Sequence, residues 1–292
     1  MMMCRRCFGA LALWAVMAAV ALAAAPYKAL IVDGQNAHDW KSTTPVLKRL
    51  LEETGLFTVD VATSPPRGAD MGGFKPNFAA YDVVVCNYQG DPWPEETKRA
   101  FVEYVNSGGG VVVYHFACAA FPDWKEYNEI IGLGGWGRRN EKWGPYVRWR
   151  DGKIVRDMTP GRGGGHGPAQ EFQLVVREPN HPITRGLPKR FMHVKDELYG
   201  WLRGPAKNLT VLATAFAPKE KGGSGEHEPL LFTVRYGKGR VFQNALGHTA
   251  EQLKSVAFIV TFQRGAEWAA SGKVTQPVPD DFPTAERASV RE

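Results

Sequence analysis

Gly108-Gly-Gly-Val-Val-Val-Tyr-His-Phe-Ala-Cys-Ala-Ala-Phe121 contains a short apolar run, residues 111–114, that follows three glycines and stops at His115. A continuous, β-branched apolar run of this kind predicts a central strand of a parallel sheet whose two faces are both covered. Ligands of open α/β sheets bind just outside the carboxyl ends of such strands. His115 is therefore predicted to lie at the functional edge of the sheet.

Upstream of this strand, the chain alternates apolar runs with helical patterns. The runs that predict three further strands are residues 27–33, 56–62 and 82–87. Ser42 or Thr43 is predicted to cap a helix that has Pro45 in its first turn, and a second helix follows Pro94. This β-α-β-β-α-β order predicts an α/β fold with a flavodoxin-like, doubly wound sheet.

Downstream of the central strand, the pattern is less regular. Asp151-Gly152 predicts the turn of a hairpin over residues 146–156. The glycine-rich segment 161–167 is predicted to be flexible and to cover a pocket. The remaining predicted strands are residues 171–177, 210–216, 229–236 and 239–246. Thr249 is predicted to cap a long closing helix.

The two ends of the chain are expected to lie outside the folded domain. The pair Arg5-Arg6 precedes an alanine-rich apolar stretch, and Ala21-Leu-Ala23 matches a cleavage pattern. Residues 1–24 are therefore predicted to be a secretory signal peptide, and no stable membrane anchor is expected. The proline-rich residues 276–292 are predicted to be a disordered tail, which leaves residues 25–275 as one α/β domain.

Charge and cysteine content narrow the possible functions. The formal net charge of +6 falls to +4 without the two signal-peptide arginines. The basic residues form no dense stripe, so nucleic-acid binding is not expected.

The mature chain keeps only two cysteines, Cys86 and Cys118. They form either one disulfide or two buried small hydrophobic residues, and the second alternative is favoured.

Four motifs in this order resemble the trehalose-utilisation (ThuA-like) family. They are Gly108-Gly-Gly with His115, His181-Pro-Ile-Thr-Arg-Gly-Leu-Pro188, Asp196-Glu-Leu-Tyr199, and Gly237-Lys-Gly-Arg-Val with Leu246-Gly-His248. The resemblance covers roughly residues 27–270, and residues 138–165 look like an insertion relative to it. It implies a class I glutamine amidotransferase-like fold and a part in the breakdown of disaccharides and their keto derivatives.

The same resemblance argues against glutamine hydrolysis. Amidotransferases of this class carry a nucleophilic cysteine on the elbow after the central strand, and His115 falls at that position here. Cys118 lies three residues further on, and His248 and Glu251 are separated by two residues where the amidotransferase pair has one. A thiolate nucleophile needs a base within reach. A glutamine amidotransferase is therefore not expected, and an amidase or peptidase using Cys118 is a remote alternative.

Four titratable residues fall just beyond strand ends or in their exit loops: His38, His115, Glu197 and His248. They are expected to share one cleft at the sheet edge. His115, Glu197 and His248 are predicted to be catalytic through acid–base chemistry. Alternatively, the three histidines hold a divalent metal such as zinc. His181 is expected to be structural, and no role is expected for His166 or His227.

Aromatic and amide side chains in the neighbouring loops indicate a carbohydrate ligand. A flat ring offers a pyranose a stacking face, and short polar groups bind its hydroxyls. The predicted substrate-binding residues are Asn36, His38, Trp40, Asn87, Gln89, Trp93 and Trp136, with Trp201 nearby. The alternative for each tryptophan is that it packs its loop onto the core.

The sequence therefore predicts an exported α/β protein that acts on a disaccharide or keto-sugar. Hydrolase, lyase and isomerase activities all remain open, with either metal-assisted or acid–base chemistry. The alternative is a non-catalytic sugar-binding module of the same fold. The predicted partner is a small-molecule carbohydrate.

Export can be tested directly on secreted material. The basic pair, the apolar stretch and the small-residue cleavage pattern together predict a mature N-terminus between Ala24 and Pro26. N-terminal sequencing of the secreted protein checks this expectation. Secreted protein that still begins at Met1 would contradict it.

Overall fold

The computed structural model describes residues 25–292. The predicted element order of the first half is present. The bounds are β1 (Tyr27–Asp33), α1 (Trp40–Glu52), β2 (Phe57–Thr63), β3 (Val83–Cys86), α2 (Glu95–Asn106) and β4 (Gly110–Tyr114). All residues of β3 and β4 are buried, so their continuous apolar runs form central strands covered on both faces. The predicted signal peptide lies outside the described residues.

The second half contains one strand more than the sequence predicted. Its elements are α3 (Lys125–Ile131), β5 (Tyr146–Arg150), β6 (Lys153–Asp157), β7 (Gln170–Val176), β8 (Arg190–Asp196), β9 (Leu209–Ala217), β10 (Glu226–Tyr236), β11 (Gly239–Asn244) and α4 (Val256–Ser271). The unpredicted strand is β8, whose buried positions include the polar side chains of His193 and Asp196 and so hide the apolar alternation. Within residues 25–292, every helix is too short or too polar to cross a membrane.

One nine-stranded mixed sheet runs through the molecule in the order β2-β1-β3-β4-β11-β10-β9-β7-β8. The first five strands are parallel, and the remaining pairings are antiparallel. Asn244 at the end of β11 pairs with Tyr114 at the end of β4, so both strands release their next residues at one edge. Four successive antiparallel pairings return β8 to the direction of β11. The residue after Asp196 therefore leaves at that same edge.

Both predicted helix caps are displaced. The N-cap of α1 is Asp39, whose carboxylate accepts a hydrogen bond from the Ser42 backbone N–H at 3.3 Å. Ser42 and Thr43 instead lie in the first turn, where their hydroxyls donate to the Asp39 carbonyl. Helix α4 begins at Val256, seven residues after the predicted cap Thr249, because a separate 3₁₀ turn intervenes.

Residues 138–165 carry the predicted hairpin, which forms a separate two-stranded sheet of β5 and β6. The hairpin docks onto β10 through charged pairs. The Arg150 guanidinium lies 2.6 Å from a Glu226 carboxylate oxygen, and Arg148 pairs with the fully buried Glu228. The hairpin is therefore held against the main sheet rather than projecting from it.

The expectation of a disordered tail over residues 276–292 is wrong. Phe282 is buried, and its ring centroid lies 5.1 Å from that of Phe191. Val290 forms an antiparallel bridge with Ser255. The segment forms no helix or strand, but the packing of Phe282 and the bridge of Val290 anchor it to the rest of the fold.

His181 joins the turn before β8 to helix α4. The Ile183 backbone N–H donates to His181 Nδ1 at 3.2 Å, and the imidazole packs on Trp268 with 4.9 Å between ring centroids. Burial, reinforced by the charge of Arg235, lowers the pKa of His181 to about 4. The imidazole is therefore neutral near pH 7, and protonation of Nδ1 would break its hydrogen bond.

We expect the free energy of unfolding to decrease as the pH falls from 6.5 towards 4. In that window the unfolded chain binds a proton that folded His181 excludes. His181→Asn offers Ile183 a similar acceptor without titrating, so it should make the decline shallower by at most about 1.4 kcal/mol per pH unit. Urea unfolding at pH 7, 6 and 5 measures both slopes. Equal slopes for the variant and the wild type would contradict the expectation.

Candidate functional site

The loops after β1, β4, β8 and β11 bring His38, His115, Glu197 and His248 into one cluster, hereafter the histidine–glutamate cluster. The ring centroid of His38 lies 5.1 Å from that of His115 and 4.4 Å from that of His248. The centroids of His115 and His248 are 5.6 Å apart. All four residues come from the sheet edge at which the sequence placed them.

Glu197 lies at the centre of this cluster. Its Oε2 is 3.5 Å from His115 Nε2, and its Oε1 is 3.4 Å from both His248 Nδ1 and His166 Nε2. Burial alone would raise the pKa of Glu197, but the interaction with His115 and the neighbouring imidazoles outweighs burial and lowers it. The group is therefore a carboxylate at neutral pH. Its Oε2 is buried and has no hydrogen-bond partner.

His115 is the first residue after β4 and is held in an unusual backbone conformation. Its φ of 42° lies in the left-handed region, which costs energy for a residue other than glycine. Its Nδ1 lies 2.8 Å from the carbonyl oxygen of Ala245. Because a carbonyl only accepts, the proton is on Nδ1 and Nε2 carries a lone pair in the neutral ring. The Tyr199 hydroxyl donates to that nitrogen at 2.7 Å.

His38 presents a second neutral imidazole. Burial, together with the neighbouring imidazoles of His115 and His248, lowers the pKa of His38 to about 4. One donor atom from each of His38, His115 and Glu197 lies within 4.8 Å of the others. Neutral imidazoles and a carboxylate are typical ligands of divalent transition metals. Among the described residues, the group that could hold a metal ion is His38, His115 and Glu197, whereas the sequence suggested His38, His115 and His248.

Two members of the site were missed by sequence reasoning. Tyr199 is fully buried, and its hydroxyl lies between His115 and His38, 3.5 Å from Nε2 of the latter. Its position two residues after Glu197 in the Asp-Glu-Leu-Tyr motif was the available signal. His166 reaches Glu197 from the glycine-rich segment 161–167, and no sequence pattern indicated this contact.

The glycine-rich segment 161–167 is hydrogen-bonded, which corrects the prediction that it is flexible. The Trp136 backbone N–H donates to the Gly163 carbonyl at 2.6 Å, and the Gly164 N–H donates to the Trp201 carbonyl at 2.8 Å. A Cβ added to Gly164, whose φ is +84°, would lie 2.5 Å from the Trp136 nitrogen. Glycine is needed here because backbone segments cross closely, and this crossing presents His166 to the cluster.

Asp196 fixes the loops that carry the cluster. It is buried and accepts hydrogen bonds from the backbone N–H groups of Gly247 at 2.6 Å, His248 at 3.2 Å and Glu197 at 2.8 Å. It also pairs with His193 Nε2 at 2.8 Å. Burial on its own raises the pKa of Asp196, but the bond to His193 and the surrounding donors lower it overall.

The predicted sugar-binding residues divide into three groups. Trp136 lies at the cluster, with its ring centroid 4.6 Å from that of Tyr199. Trp93 is 2% exposed inside an aromatic core that includes Phe121, so its predicted substrate contact is wrong. Asn87 is 1% exposed and donates to the hydroxyls of Thr43 and Thr44, so its predicted substrate contact is wrong as well.

The third group lies beside the cluster. Asn36 and Trp40 line a separate groove at the ends of β1 and β2. The backbone carbonyl of Gln89 accepts from the Arg67 guanidinium at 3.1 Å at the rim of that groove. The Arg162 guanidinium lies over the indole of Trp201, and its central carbon is 4.2 Å from the centroid of that ring.

Cys118 is free and fully buried, as is Cys86, so the two form no disulfide. Burial raises the pKa of the Cys118 thiol to about 12. A catalytic cysteine must be accessible and must ionise readily. Cys118 meets neither condition of a catalytic thiol.

The chain is an α/β protein with a mixed sheet and a histidine–carboxylate cluster at the carboxyl ends of its strands. The model of the ThuA family, described as "Trehalose utilisation", matches residues 28–269. The chain belongs to this family.

Two solved structures are similar to this chain. A ThuA-like protein from Parabacteroides merdae ATCC 43184 is 51% identical with a TM-score of 0.89, over 91% of this chain and 98% of that one. A ThuA-like protein from Bacteroides uniformis ATCC 8492 is 19% identical with a TM-score of 0.58, over 88% and 96% of the two chains, and shares the fold. Among curated proteins, none matches.

The two tryptophans Trp93 and Trp136 should differ in what they stabilise. Trp93→Ala removes a large ring from the aromatic core and should lower the free energy of unfolding by about 3–5 kcal/mol. Trp136→Ala, at a half-buried position beside the cluster, should cost clearly less. Urea denaturation of both variants provides the comparison. A Trp93→Ala protein within about 1 kcal/mol of the wild type would return Trp93 to the list of candidate ligand contacts.

Proposed function

We propose that the protein is an exported sugar-processing enzyme that acts on a disaccharide or a keto-sugar through metal-assisted chemistry at the histidine–glutamate cluster. The observation that carries the proposal is Glu197 Oε2, a buried carboxylate oxygen with no hydrogen-bond partner that faces His115 Nε2. The family description "Trehalose utilisation" supports a sugar as substrate. We also propose that the parallel half of the sheet has a flavodoxin-like, class I glutamine amidotransferase-like fold.

The protonation pattern favours a cation in the cluster. With its proton on Nδ1, His115 accepts from the Tyr199 hydroxyl through Nε2 at 2.7 Å, and the same nitrogen lies 3.5 Å from Glu197 Oε2. His166 repeats the arrangement, because its Nδ1 lies 2.7 Å from the Gly167 carbonyl and its Nε2 faces Glu197 Oε1. Lone pairs facing a carboxylate repel it unless a positive charge lies between them. A divalent cation bound between them would remove this repulsion.

His38, His115 and Glu197 would hold the metal. Two histidines and one carboxylate leave coordination positions open for a substrate, as catalytic metal sites require. The bond from His115 Nδ1 to the Ala245 carbonyl orients its other nitrogen as metal-ligating histidines are usually oriented. A metal held there would supply a Lewis acid for a sugar carbonyl.

The other carboxylate oxygen of Glu197 faces two histidines suited to proton transfer. The side chains of His166 and His248 are 32% and 30% exposed, whereas that of His115 is 1% exposed. A substrate entering from solvent therefore meets His166 and His248 first. Trp136 next to Tyr199 offers the sugar ring an apolar face.

Metal content and turnover together test this proposal. The purified protein should contain about one divalent ion per chain, and Glu197→Gln should lose most of it, because the amide keeps the shape but not the charge. His166→Gln should keep the ion while turnover of trehalose or its keto derivatives falls about 10²–10⁴-fold. Mass-spectrometric metal analysis and chromatography of the sugar products provide the measurements.

His227→Gln is the matched control, because His227 is a half-buried histidine on β10 that belongs to a different part of the sheet. It should change neither metal content nor turnover. A wild-type protein that holds no metal would contradict the proposed chemistry. Full metal occupancy with no turnover of any of these sugars would favour the non-catalytic sugar-binding module.

A further inference from the structure

A groove lies at the carboxyl ends of β1 and β2, next to the histidine–glutamate cluster but outside it. Its volume is about 460 Å³, and its lining includes Asn36, Trp40, Lys41, Ser64 and Arg67. Both charged residues of the lining, Lys41 and Arg67, are cations, and no carboxylate lines the groove. The groove thus combines an indole, short polar groups and two cationic side chains.

We propose that this groove binds the second ring of an acidic saccharide, with the ring against Trp40 and its carboxylate between Lys41 and Arg67. The inference rests on the proposed function, since the first ring would lie at the histidine–glutamate cluster. An indole next to hydroxyl and amide groups suits a pyranose. A guanidinium with free N–H groups suits a carboxylate.

The cationic side of the groove is already ordered. The Arg67 guanidinium donates to the Gln89 carbonyl at 3.1 Å through one Nη, which leaves its other N–H groups available. The next residue, Gly68, donates its backbone N–H to the Asp91 carboxylate at 2.6 Å and holds the loop in place. Lys41 Nζ lies 5.6 Å from the Trp40 ring centroid. The ammonium charge is therefore next to the indole on which the sugar ring would stack. Ordering before binding reduces the entropy that a ligand must offset.

The groove and the cluster are within reach of one ligand. Asn36 lines the groove, and its side-chain oxygen accepts from the His38 backbone N–H at 3.0 Å. His38 belongs to the cluster and follows Asn36 by two residues, a span of roughly 7 Å at most. Two linked pyranose rings cover this distance. We therefore infer that one disaccharide can place a ring in each site.

Calorimetric titration tests the groove with three probes. These are a disaccharide that ends in glucuronic acid, the neutral glucose disaccharide of the same linkage, and its phosphorylated form. The measurements use the wild type and His115→Ala, in which turnover is disabled. We expect the uronic acid probe to bind about tenfold more tightly than the neutral probe, the difference that one charged contact supplies.

Variants assign that preference to residues. Lys41→Gln and Arg67→Gln should each reduce the affinity for the acidic probe and leave that for the neutral probe unchanged, and Trp40→Ala should weaken both. Lys153→Gln removes the same charge from an exposed position on β6 and should change nothing. Added salt should reduce only the acidic preference.

Three results would overturn the inference: equal affinities for the acidic and neutral probes, a preference that survives the Lys41→Gln/Arg67→Gln double variant, or a preference for the phosphorylated probe alone. The outcome is independent of the metal measurement. An acidic preference in a metal-free protein would refute only the proposed chemistry. Equal affinities in a protein with full metal content would refute only the acidic subsite.

Discussion

The arrangement of the site depends on one buried carboxylate. Asp196 ends β8 and accepts backbone hydrogen bonds from the neighbouring Glu197 and from Gly247 and His248 beyond β11. Its link to His193 continues to the Ser255 hydroxyl, 2.9 Å from His193 Nδ1, at the start of α4. Hydrogen bonds to a charged group contribute about 1.5–3 kcal/mol each, and leaving the amides unpaired would cost a similar amount. The last strand of the sheet is thereby fixed to the loop that follows its fifth strand.

This constraint explains the electrostatics of the cluster. Glu197 and His248 are bound through their own backbone to the same carboxylate, so their side chains are held 3.4 Å apart. His115 is fixed independently by the Ala245 carbonyl and the Tyr199 hydroxyl. The result is an ionised carboxylate that lies within 3.5 Å of three imidazole nitrogens. Such a set is stable in a protein interior when a cation or a polar ligand completes it.

The sequence was sufficient for the features that repeat along the chain. The apolar runs of β1, β3 and β4 are buried on both faces, and their exit residues could be assigned to one edge. It was insufficient where a contact joins distant segments. β8 carries polar groups inward, and His166 reaches Glu197 only because glycine backbones cross near Trp136. Trp93 and Phe282 were assigned wrongly for one reason. The residues that flank an aromatic side chain in the sequence do not show whether that side chain packs into the core.

The pairing of β4 with β11 also determines when the site can form. His115 Nδ1 bonds the carbonyl of Ala245, 130 residues later in the chain. Until that segment has been synthesised, β4 is an open edge of the nascent sheet, with unpaired amides along one side. Contacts of such long sequence separation slow folding, because the loop must close before the pairing stabilises it. The cluster is therefore absent from every product of translation that ends before Ala245, and its assembly coincides with completion of the sheet at β11.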